Sequence, residues 1–451
     1  MISESLETLA ERLATGQETS CSLVEACFDR MSVEGSGAGR TFIQVNWHRA
    51  FAEAKAMDRL RMEDSHPSRY AGIPISVKDL FDVAGEITRA GSQVFASRHP
   101  AERDAVAIRH LRQAGFVFVG RTNMTEFAYS GLGLNPHFGT PLSPYNRDIG
   151  HIPGGSSSGA AVSVADGFAM AAIGTDTGGS CRIPAAFCGV VGYKPTASRI
   201  SRDGVVALSD SLDSVGPFAA DVRSAQILDA IMAGDPIPEE SRRPLSSFRF
   251  AVPTSLVLDG MDDAVAGAFA QATAALRAFG ATVDEFSIPS LLDLPQINSK
   301  GGLVAAEAWH GHKPLLEARF DDYDPRVAGR MMNGSHQTAD DYMTLLDERR
   351  RVIAEVSAMM EGYDAMLMPT VSITPPALAP LLDDDDHYMA TNLQVLRNTS
   401  VINFIDGCAL SLPIHDEGTA PVGLMIAGLS GADQTVFAAS LAIERQLHGS
   451  G

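Results

Sequence analysis

The residue of this chain that most clearly indicates a chemical reaction is a serine on a glycine-rich turn. Ser180 lies within Gly-Thr-Asp-Thr-Gly-Gly-Ser-Cys-Arg-Ile-Pro, which spans residues 174–184. Gly178 and Gly179 can adopt backbone angles that are closed to other residues, and they let a ligand approach the main chain. Successive N–H groups in such a turn can point at one developing oxyanion. The pattern therefore predicts acyl transfer with Ser180 as the nucleophile.

A serine hydroxyl is a weak nucleophile at neutral pH, so the sequence must also supply a base. Residues 71–79, Ala-Gly-Ile-Pro-Ile-Ser-Val-Lys-Asp, predict a short apolar strand that ends at Lys78. Burial at a strand end can lower the pKa of a lysine enough to make it a base. Residues 153–159, Pro-Gly-Gly-Ser-Ser-Ser-Gly, predict a flexible loop that leads into a helical run at 160–166.

With Lys78, Ser156 and Ser180 in this order, the chain resembles the amidase signature family. The resemblance extends through Gly/Ser-rich and C-terminal motifs at residues 71–217, 363–370 and 421–428. It implies a Ser-cisSer-Lys triad in which Ser180 is the nucleophile, Ser156 the bridging serine and Lys78 the base. It also implies a cis peptide bond between Gly155 and Ser156. The implied fold is α/β, with a central mixed β-sheet covered on both faces by helices.

The resemblance also implies where the substrate is held. The oxyanion hole would consist of main-chain N–H groups, those of Thr177, Gly178, Gly179 and Ser180. Part of the acyl pocket would lie on a loop at Tyr129, Ser130 and Gly131. The remainder would lie on the variable C-terminal half, where the sequence does not identify the residues.

Charged residues beside the triad carry further predictions. Asp176 and Arg182 are expected to fix the nucleophile loop through charge-assisted hydrogen bonds. If Lys78 acts as a base, its pKa must lie well below the roughly 10.4 of a free lysine. A carboxylate beside it would favour the charged lysine, so the side chain of Asp79 is expected to turn away, as neighbours along a strand do.

Two other interpretations of the serine-rich loop are weaker. Residues 155–159 match the pattern G-x-S-x-G, which would make Ser157 the nucleophile of a triad with an Asp and a His. That interpretation leaves Lys78 and Ser180 without a role. A phosphate-binding loop would need Gly-Lys-Ser/Thr, where this chain has Gly159-Ala160-Ala161.

Metal and disulfide chemistry have little support in the sequence. The 12 histidines include no H-E-x-x-H pattern, and the cluster at 309–312, Trp-His-Gly-His, has the wrong spacing for a helical metal pair. Its histidines are expected at the surface or in a supporting shell. The five scattered cysteines indicate reduced thiols, with Cys181 packed beside the nucleophile. No metal and no cofactor are therefore expected.

The amino-acid composition limits the classes of molecule that this chain is expected to bind. The chain has 451 residues and a net charge of −20, which argues against nucleic acid or an anionic membrane surface. No signal peptide and no membrane-spanning run are evident, so cytoplasmic location is the default expectation. We expect one domain over residues 1–451, with a signature core at about 71–217 and a variable helical half at about 236–360. A small-molecule amide is the expected partner, and a homodimer stays open as the assembly.

Several local elements can also be predicted. Leu6, Leu9 and Leu13 recur at helical spacing, and residues 22–25, Ser-Leu-Val-Glu, predict a capping box before a second helix. Residues 115–120 predict a buried strand. The charged stretch at 340–351 predicts a solvated helix face, and the four aspartates at 383–386 a solvated loop.

Two enzymatic functions are compatible with the sequence. The first is an amidohydrolase that cleaves a small or medium carboxamide through a seryl acyl-enzyme. The alternative is an amidotransferase A-type subunit that releases ammonia from glutamine within a complex. A catalytically dead binding module is disfavoured because all three triad positions are intact. Aryl, alkyl, amino-acid and urea-type amides, and an esterase side activity, stay open.

Overall fold

The centre of the fold is a sheet of eleven strands. The computed structural model describes residues 4–447 and 449. Its strands are β1 (Phe42–Val45), β2 (Pro74–Lys78), β3 (Val117–Thr122), β4 (Ala171–Asp176), β5 (Val191–Lys194), β6 (Ser214–Ala219), β7 (Arg249–Pro253), β8 (Thr282–Phe286), β9 (Ala365–Pro369), β10 (Cys408–Pro413) and β11 (Gly423–Gly428).

Helices surround this sheet. They are α1 (Leu6–Thr15), α2 (Ser20–Ser32), α3 (Ala38–Thr41), α4 (Trp47–Met62), α5 (Val106–Gln113), α6 (Ser158–Ala165), α7 (Arg182–Cys188), α8 (Val222–Ala233), α9 (Asp263–Ala278), α10 (Leu294–Ile297), α11 (Gly302–Arg319), α12 (Pro325–Met332), α13 (Ala339–Met359), α14 (Leu378–Asp383), α15 (Asp385–Phe404) and α16 (Asp433–Leu447). Within the described residues, none of these helices is both long and apolar enough to span a bilayer.

The sheet is mixed, as predicted. Its strand order is β1-β3-β2-β4-β6-β5-β10-β11-β9-β7-β8. The pairs β3/β2, β2/β4, β9/β7 and β7/β8 are parallel, and the other neighbours are antiparallel. Strands β7 and β8 arise from the segment at 236–360 that the sequence suggested was helical, so this segment supplies one edge of the sheet as well as helices.

Both faces of the central strands are covered. Every residue of β2, β3, β4 and β6 is buried. Along β4, Ile173 belongs to the hydrophobic cluster that includes Val222 of α8 and Val436 of α16, whereas Ala172 belongs to the cluster of α6 and α7. Because successive strand residues point to opposite faces, these two clusters lie on opposite sides of the sheet. The predicted α/β fold class is therefore confirmed.

The register between β4 and β6 matters for the site. The two strands are antiparallel, with Gly174 opposite Gly216 and Asp176 opposite Ser214. The residues just beyond this pairing, Thr177 and Asp213, therefore face each other across the end of the ladder.

Two helix starts differ from the sequence prediction. The cap of α2 is Thr19, which exchanges hydrogen bonds with Ser22, so the capping box lies three residues before the predicted one. Ser22 has the hydroxyl that the third helical position needs, and it plays the part expected of Glu25. In the acidic run at 383–386, Asp384 caps α15 by accepting from the N–H of His387, so the run is exposed as predicted but consists of helix ends and not a loop.

Candidate active site

Lys78 lies at the carboxyl end of β2, as predicted. Ser76 and Lys78 occupy the same face of this strand, and Ser76 Oγ lies 2.8 Å from Ser163 Oγ on α6. The Lys78 side chain is completely buried. Its Nζ donates to Ser156 Oγ at 2.8 Å and to Thr175 Oγ1 at 2.9 Å. The fold thus joins two of the three predicted triad residues by a direct hydrogen bond.

The electrostatic surroundings of Lys78 favour its neutral form. Burial lowers the pKa of Lys78 to about 8, while nearby acidic groups, among them Asp213 and Asp176, limit the decrease. The carboxylate of Asp79 turns away from Lys78, accepting from Arg121 Nε at 2.7 Å and from the N–H of Gly91 at 3.1 Å. Both the direction of the pKa shift and the orientation of Asp79 agree with the sequence predictions.

Ser156 is held by its backbone. The peptide bond between Gly155 and Ser156 is cis, as the resemblance implied. The Gly155 N–H donates to the Gly131 carbonyl at 2.8 Å, and the Ser156 carbonyl accepts from the Thr125 N–H at 3.0 Å. The serine loop is therefore fastened to the segment that contains the predicted acyl pocket.

Ser180 lies on the turn between β4 and α7, and it is buried to 3% exposure. Its carbonyl accepts from the N–H of Ser157 at 3.4 Å. The turn that carries the predicted nucleophile, the nucleophile turn (residues 177–181), therefore lies next to the serine loop at 153–159. Gly179 has φ of +140°, and a Cβ there would lie 2.2 Å from Thr399 Oγ1. Both the backbone conformation and the space require glycine at this position.

The nucleophile turn is fixed by a buried ion pair. Asp176 Oδ1 accepts from Arg182 Nη2 at 2.9 Å, and both side chains are completely buried. Although burial alone would raise it, the Arg182 guanidinium holds the pKa of Asp176 well below its usual range. The carboxylate also accepts from the N–H groups of Gly179 at 2.9 Å and Cys181 at 3.0 Å. The predicted structural role of this pair is confirmed.

The same contacts change one detail of the predicted oxyanion hole. The N–H of Gly179 was expected to face the oxyanion, but here it donates to Asp176. The Asp176 carboxylate holds the turn by accepting hydrogen bonds from backbone N–H groups, and the N–H of Gly179 is one of these donors. Thr177, Gly178 and Ser180 are the predicted donors that do not bond to this carboxylate.

Two buried residues beside the triad escaped the sequence analysis. Thr175 accepts from Lys78, and Asp213 accepts from Thr177 Oγ1 at 2.5 Å. Asp213 also accepts from the N–H groups of Leu208 and Ser209, and burial raises its pKa to about 6 against these hydrogen bonds. Thr175 belongs to the same glycine-rich motif as Ser180. Asp213 lies within the stretch at 71–217 that carries the family resemblance, but only the sheet register shows that it faces Thr177.

The predicted acyl-pocket segment is joined to two helices of the C-terminal half. Ser130 Oγ donates to Asn392 Oδ1 at 2.9 Å and accepts from Tyr388 OH at 2.7 Å. The N–H of Gly131 donates to the same Asn392 oxygen at 2.9 Å. On α12, Arg330 donates to the Tyr129 carbonyl and stacks 4.3 Å from its ring centroid. The structure thus brings Tyr129, Ser130 and Gly131 together with α12 and α15.

One apolar side chain of α15 reaches both predicted substrate loops. A Cβ placed on Gly131 would lie 3.0 Å from Leu396 Cγ, and one on Gly178 would lie 3.3 Å from Leu396 Cδ2. Thr399, one turn further along, donates to the Gly178 carbonyl at 2.6 Å. Leu396, which lies C-terminal to the variable segment at 236–360, therefore adjoins both the acyl-pocket segment and the nucleophile turn.

The histidine cluster at 309–312 has no metal-binding arrangement. His310 is exposed, whereas His312 is buried and so is not a surface residue. His312 Nδ1 lies 3.0 Å from Tyr323 OH, and burial lowers its pKa to about 4. Among residues 4–447 and 449, no group of three or more His, Cys, Asp or Glu side chains is placed to hold a metal ion. The five cysteines are free thiols.

Comparison with known proteins identifies the family. The profile of the amidase family matches residues 22–437. The chain belongs to the amidase family. It is 33% identical to a 2-amino-5-chloromuconic acid deaminase of Comamonas testosteroni, over 98% of this chain and 95% of that protein. It is also 31% identical to the A-type subunit of the glutamyl-tRNA(Gln) amidotransferase of Symbiobacterium thermophilum, over 95% of this chain and 94% of that protein.

A solved structure agrees with this assignment. The crystal structure of an amidase superposes with a TM-score of 0.89 at 32% identity, covering 98% of this chain and all of that one. This member of the amidase family is therefore a hydrolase that acts on carbon–nitrogen bonds.

Proposed function

We propose that the chain hydrolyses a small or medium carboxamide through a seryl acyl-enzyme and releases ammonia or an amine. Ser180 is the nucleophile, Ser156 the bridging serine and Lys78 the base. The observation that carries the proposal is the completely buried Lys78, whose Nζ contacts Ser156 Oγ at 2.8 Å beside the Ser180 turn. Among the residues that the structure describes, no carboxylate pairs directly with Lys78, and a buried lysine of this kind is suited to accept a proton.

Acylation begins with proton transfer from Ser180 through Ser156 to Lys78. Neutral Lys78 takes the proton of Ser156 Oγ while Ser156 takes that of Ser180, whose Oγ then forms a bond to the amide carbon. The carbonyl oxygen becomes an oxyanion, which the N–H groups of Thr177, Gly178 and Ser180 stabilise. When the carbon–nitrogen bond breaks, the proton returns through Ser156 to the leaving nitrogen.

Deacylation repeats the relay with water as the nucleophile. Lys78 takes a proton from the water through Ser156, and the hydroxide formed attacks the ester carbon. The second oxyanion collapses, the bond to Ser180 Oγ breaks, and Ser180 regains a proton from Lys78 through Ser156.

This relay moves protons and an acyl group without a metal ion. We therefore expect turnover to be unchanged after treatment with a chelator and dialysis, with a metal assay of the dialysed protein as the control. Turnover that is lost with the chelator and restored by one divalent ion would contradict the relay as written.

The acyl pocket favours an uncharged substrate. Leu396 presents an apolar side chain to Gly131 and Gly178, the two positions nearest a bound acyl group in this proposal. Of the two charges that glutamine would bring, Arg330 beside Tyr129 offers a partner to the carboxylate, whereas Leu396 offers none to the ammonium, and burying a charge without a partner is costly. This observation supports the amidohydrolase over the amidotransferase alternative, although the identity to proteins of the second kind keeps glutamine as the second candidate.

The decisive experiment is a substrate panel with the purified chain alone. Alkyl amides, aryl amides, amino-acid amides, biuret-type ureas and glutamine are each assayed for released ammonia or amine. We expect hydrolysis of one or more uncharged amides and little of glutamine. Release of ammonia from glutamine alone would favour the amidotransferase alternative, and no hydrolysis of any amide would overturn the proposal.

A further inference from the structure

Asp213 occupies a position that neither the triad nor the acyl pocket explains. Its side chain is 6% exposed and sits at the end of the β4/β6 ladder, opposite Thr177. The contacts of the described residues give this carboxylate no direct arginine or lysine partner, in contrast to Asp176, which pairs with Arg182. Its oxygens accept instead from one hydroxyl and two backbone N–H groups.

The first of these contacts reaches the nucleophile turn. Thr177 Oγ1 donates to Asp213 Oδ1 at 2.5 Å. This bond holds the side chain of Thr177, the residue that opens the turn and precedes Gly178. A hydrogen bond to a charged acceptor is shorter and stronger than one between neutral groups, so it suits the holding of a loop.

The other contacts connect Asp213 to a preceding loop. Its Oδ2 accepts from the N–H of Leu208 at 2.9 Å and of Ser209 at 3.1 Å. The hydroxyl of Ser209 in turn donates to Glu307 on α11. Ser209 is therefore held by Asp213 through its N–H and by Glu307 through its hydroxyl.

Glu307 is itself held from two directions. It accepts from the N–H of Ser211 at 3.0 Å and from the Ser211 hydroxyl. Its other support is Tyr342 on α13, whose hydroxyl donates to Glu307 Oε1 at 2.9 Å. A continuous hydrogen-bond network thus runs from α13 and α11 through the 208–213 loop to the nucleophile turn.

We infer that Asp213 and Glu307 are positioning residues, which anchor the oxyanion-binding turn to the helical half of the molecule through Thr177. This inference rests on the proposed function for its kinetic consequence. Anchoring fixes N–H groups that bind the oxyanion, which exists only in the transition states and intermediates. Its loss should therefore lower kcat and leave KM nearly unchanged.

The test compares two variants with a matched control. Thr177→Val removes the hydroxyl but keeps the shape, and Glu307→Gln weakens the far end of the network. The control is Thr196→Val, because Thr196 Oγ1 donates to the buried Asp433 at 2.6 Å in an equivalent pair outside this network. The conservative variant Thr177→Ser restores the hydroxyl and should restore the anchor.

Two measurements are made on each variant. Steady-state kinetics with the best amide of the panel give kcat and KM, and hydrogen–deuterium exchange follows the peptide that covers residues 174–182. We expect Thr177→Val to lower kcat roughly tenfold with KM within about twofold, and to speed exchange in that peptide. Glu307→Gln should give the same signs with smaller changes. Thr177→Ser should recover most of the kcat and of the exchange protection that Thr177→Val loses. Thr196→Val should keep wild-type kcat and wild-type exchange of this peptide.

Specific outcomes overturn the inference. The inference is wrong if Thr177→Val and Glu307→Gln both keep wild-type kcat and wild-type exchange of the 174–182 peptide. It is also wrong if Thr196→Val lowers kcat and speeds this exchange as much as Thr177→Val does. If Thr177→Val does not fold, Glu307→Gln and the milder Tyr342→Phe decide by the same measurements. If the wild-type chain hydrolyses no amide, the proposed function fails, whereas the exchange of the 174–182 peptide still tests the anchor.

Discussion

The strands and turns at residues 78–182 and the helices α12 and α15 build the site in different ways. In the first region, the reacting groups depend on close backbone packing, such as the φ of +140° at Gly179 and the contact of Gly133, where a Cβ would lie 2.2 Å from the Gly154 carbonyl oxygen. In the second, single side chains such as Asn392 and Leu396 reach across from ordinary helices. The first region therefore tolerates few substitutions, whereas the second can change its side chains without changing the fold. In the proposed function, the reacting groups come from the first region, whereas the second region adds side chains to an acyl pocket that begins at residues 129–131 of the first.

Removing the proposed nucleophile should give the largest effect. Ser180→Ala deletes the oxygen that bonds to the acyl group, so kcat should fall by roughly four to six orders of magnitude. Ser157→Ala is the matched control, because Ser157 Oγ donates only to the Thr175 carbonyl at 3.2 Å and should be largely dispensable. A serine-directed phosphonate followed by peptide mapping should label Ser180. A label on Ser157 would instead support the G-x-S-x-G interpretation.

The base should give the next largest effect. Because Lys78 must be neutral and its pKa is about 8, activity should rise with pH through that value and then level off. Lys78→Arg should lose several orders of magnitude, since a guanidinium does not deprotonate in a protein. The pH–rate profile of the wild type and the kcat of the variant are the measurements. Near-normal turnover by Lys78→Arg would show that a permanent cation suffices and would remove the general-base role.

The buried ion pair tests stability in the first region. Arg182→Met leaves the Asp176 carboxylate buried without its cation, which should lower the free energy of unfolding by about 3–5 kcal/mol. The control is Arg350→Met, whose partner Asp347 is 66% exposed, and here the loss should stay under about 1 kcal/mol. Urea unfolding followed by circular dichroism compares the two. Equal losses would mean that the buried pair adds nothing beyond a surface pair.

The smallest effect is expected in the second region. Leu396→Ala enlarges the space beside Gly131 and Gly178, so the ratio of kcat/KM for a long over a short alkyl amide should rise roughly tenfold. Leu393→Ala on the same helix is the control, because Leu393 is 66% exposed and should leave the ratio unchanged. An unchanged ratio in Leu396→Ala would place the acyl group elsewhere.

The part of the first region around Ser180 was predicted well because its residues are close together in one glycine-rich motif, whereas the contact of Lys78 with Ser156 followed only from the family resemblance. Ser180, Asp176 and Arg182 are local to one turn, so their mutual contacts follow from the motif. The contacts of the second region link Ser130 to Asn392 and Tyr129 to Arg330, positions far apart in the chain. No periodicity or composition signals such a pairing, because it depends on how α12 and α15 pack against the sheet.

The remaining differences have local causes. Residues at 282–286, Thr-Val-Asp-Glu-Phe, form the edge strand β8, whose exposed charges resemble those of a solvated helix. In the charged stretch at 340–351, Arg349 is only partly exposed, and it donates to the Phe404 carbonyl at 2.8 Å. An arginine that satisfies carbonyls at a helix end looks the same in sequence as one that faces water.

The pairing of β4 with β6 also determines where the gene can change length. A shift of one residue between these strands would turn every side chain of β6 to the other face of the sheet. Insertions in the connection at 195–207 leave Asp213 opposite Thr177, because they lie outside both the ladder and the loop that Asp213 holds. A single residue added between Asp213 and Val215 would separate that carboxylate from the nucleophile turn. Of these two segments, we therefore expect length variation in relatives and in engineered variants at 195–207 and not at 213–215.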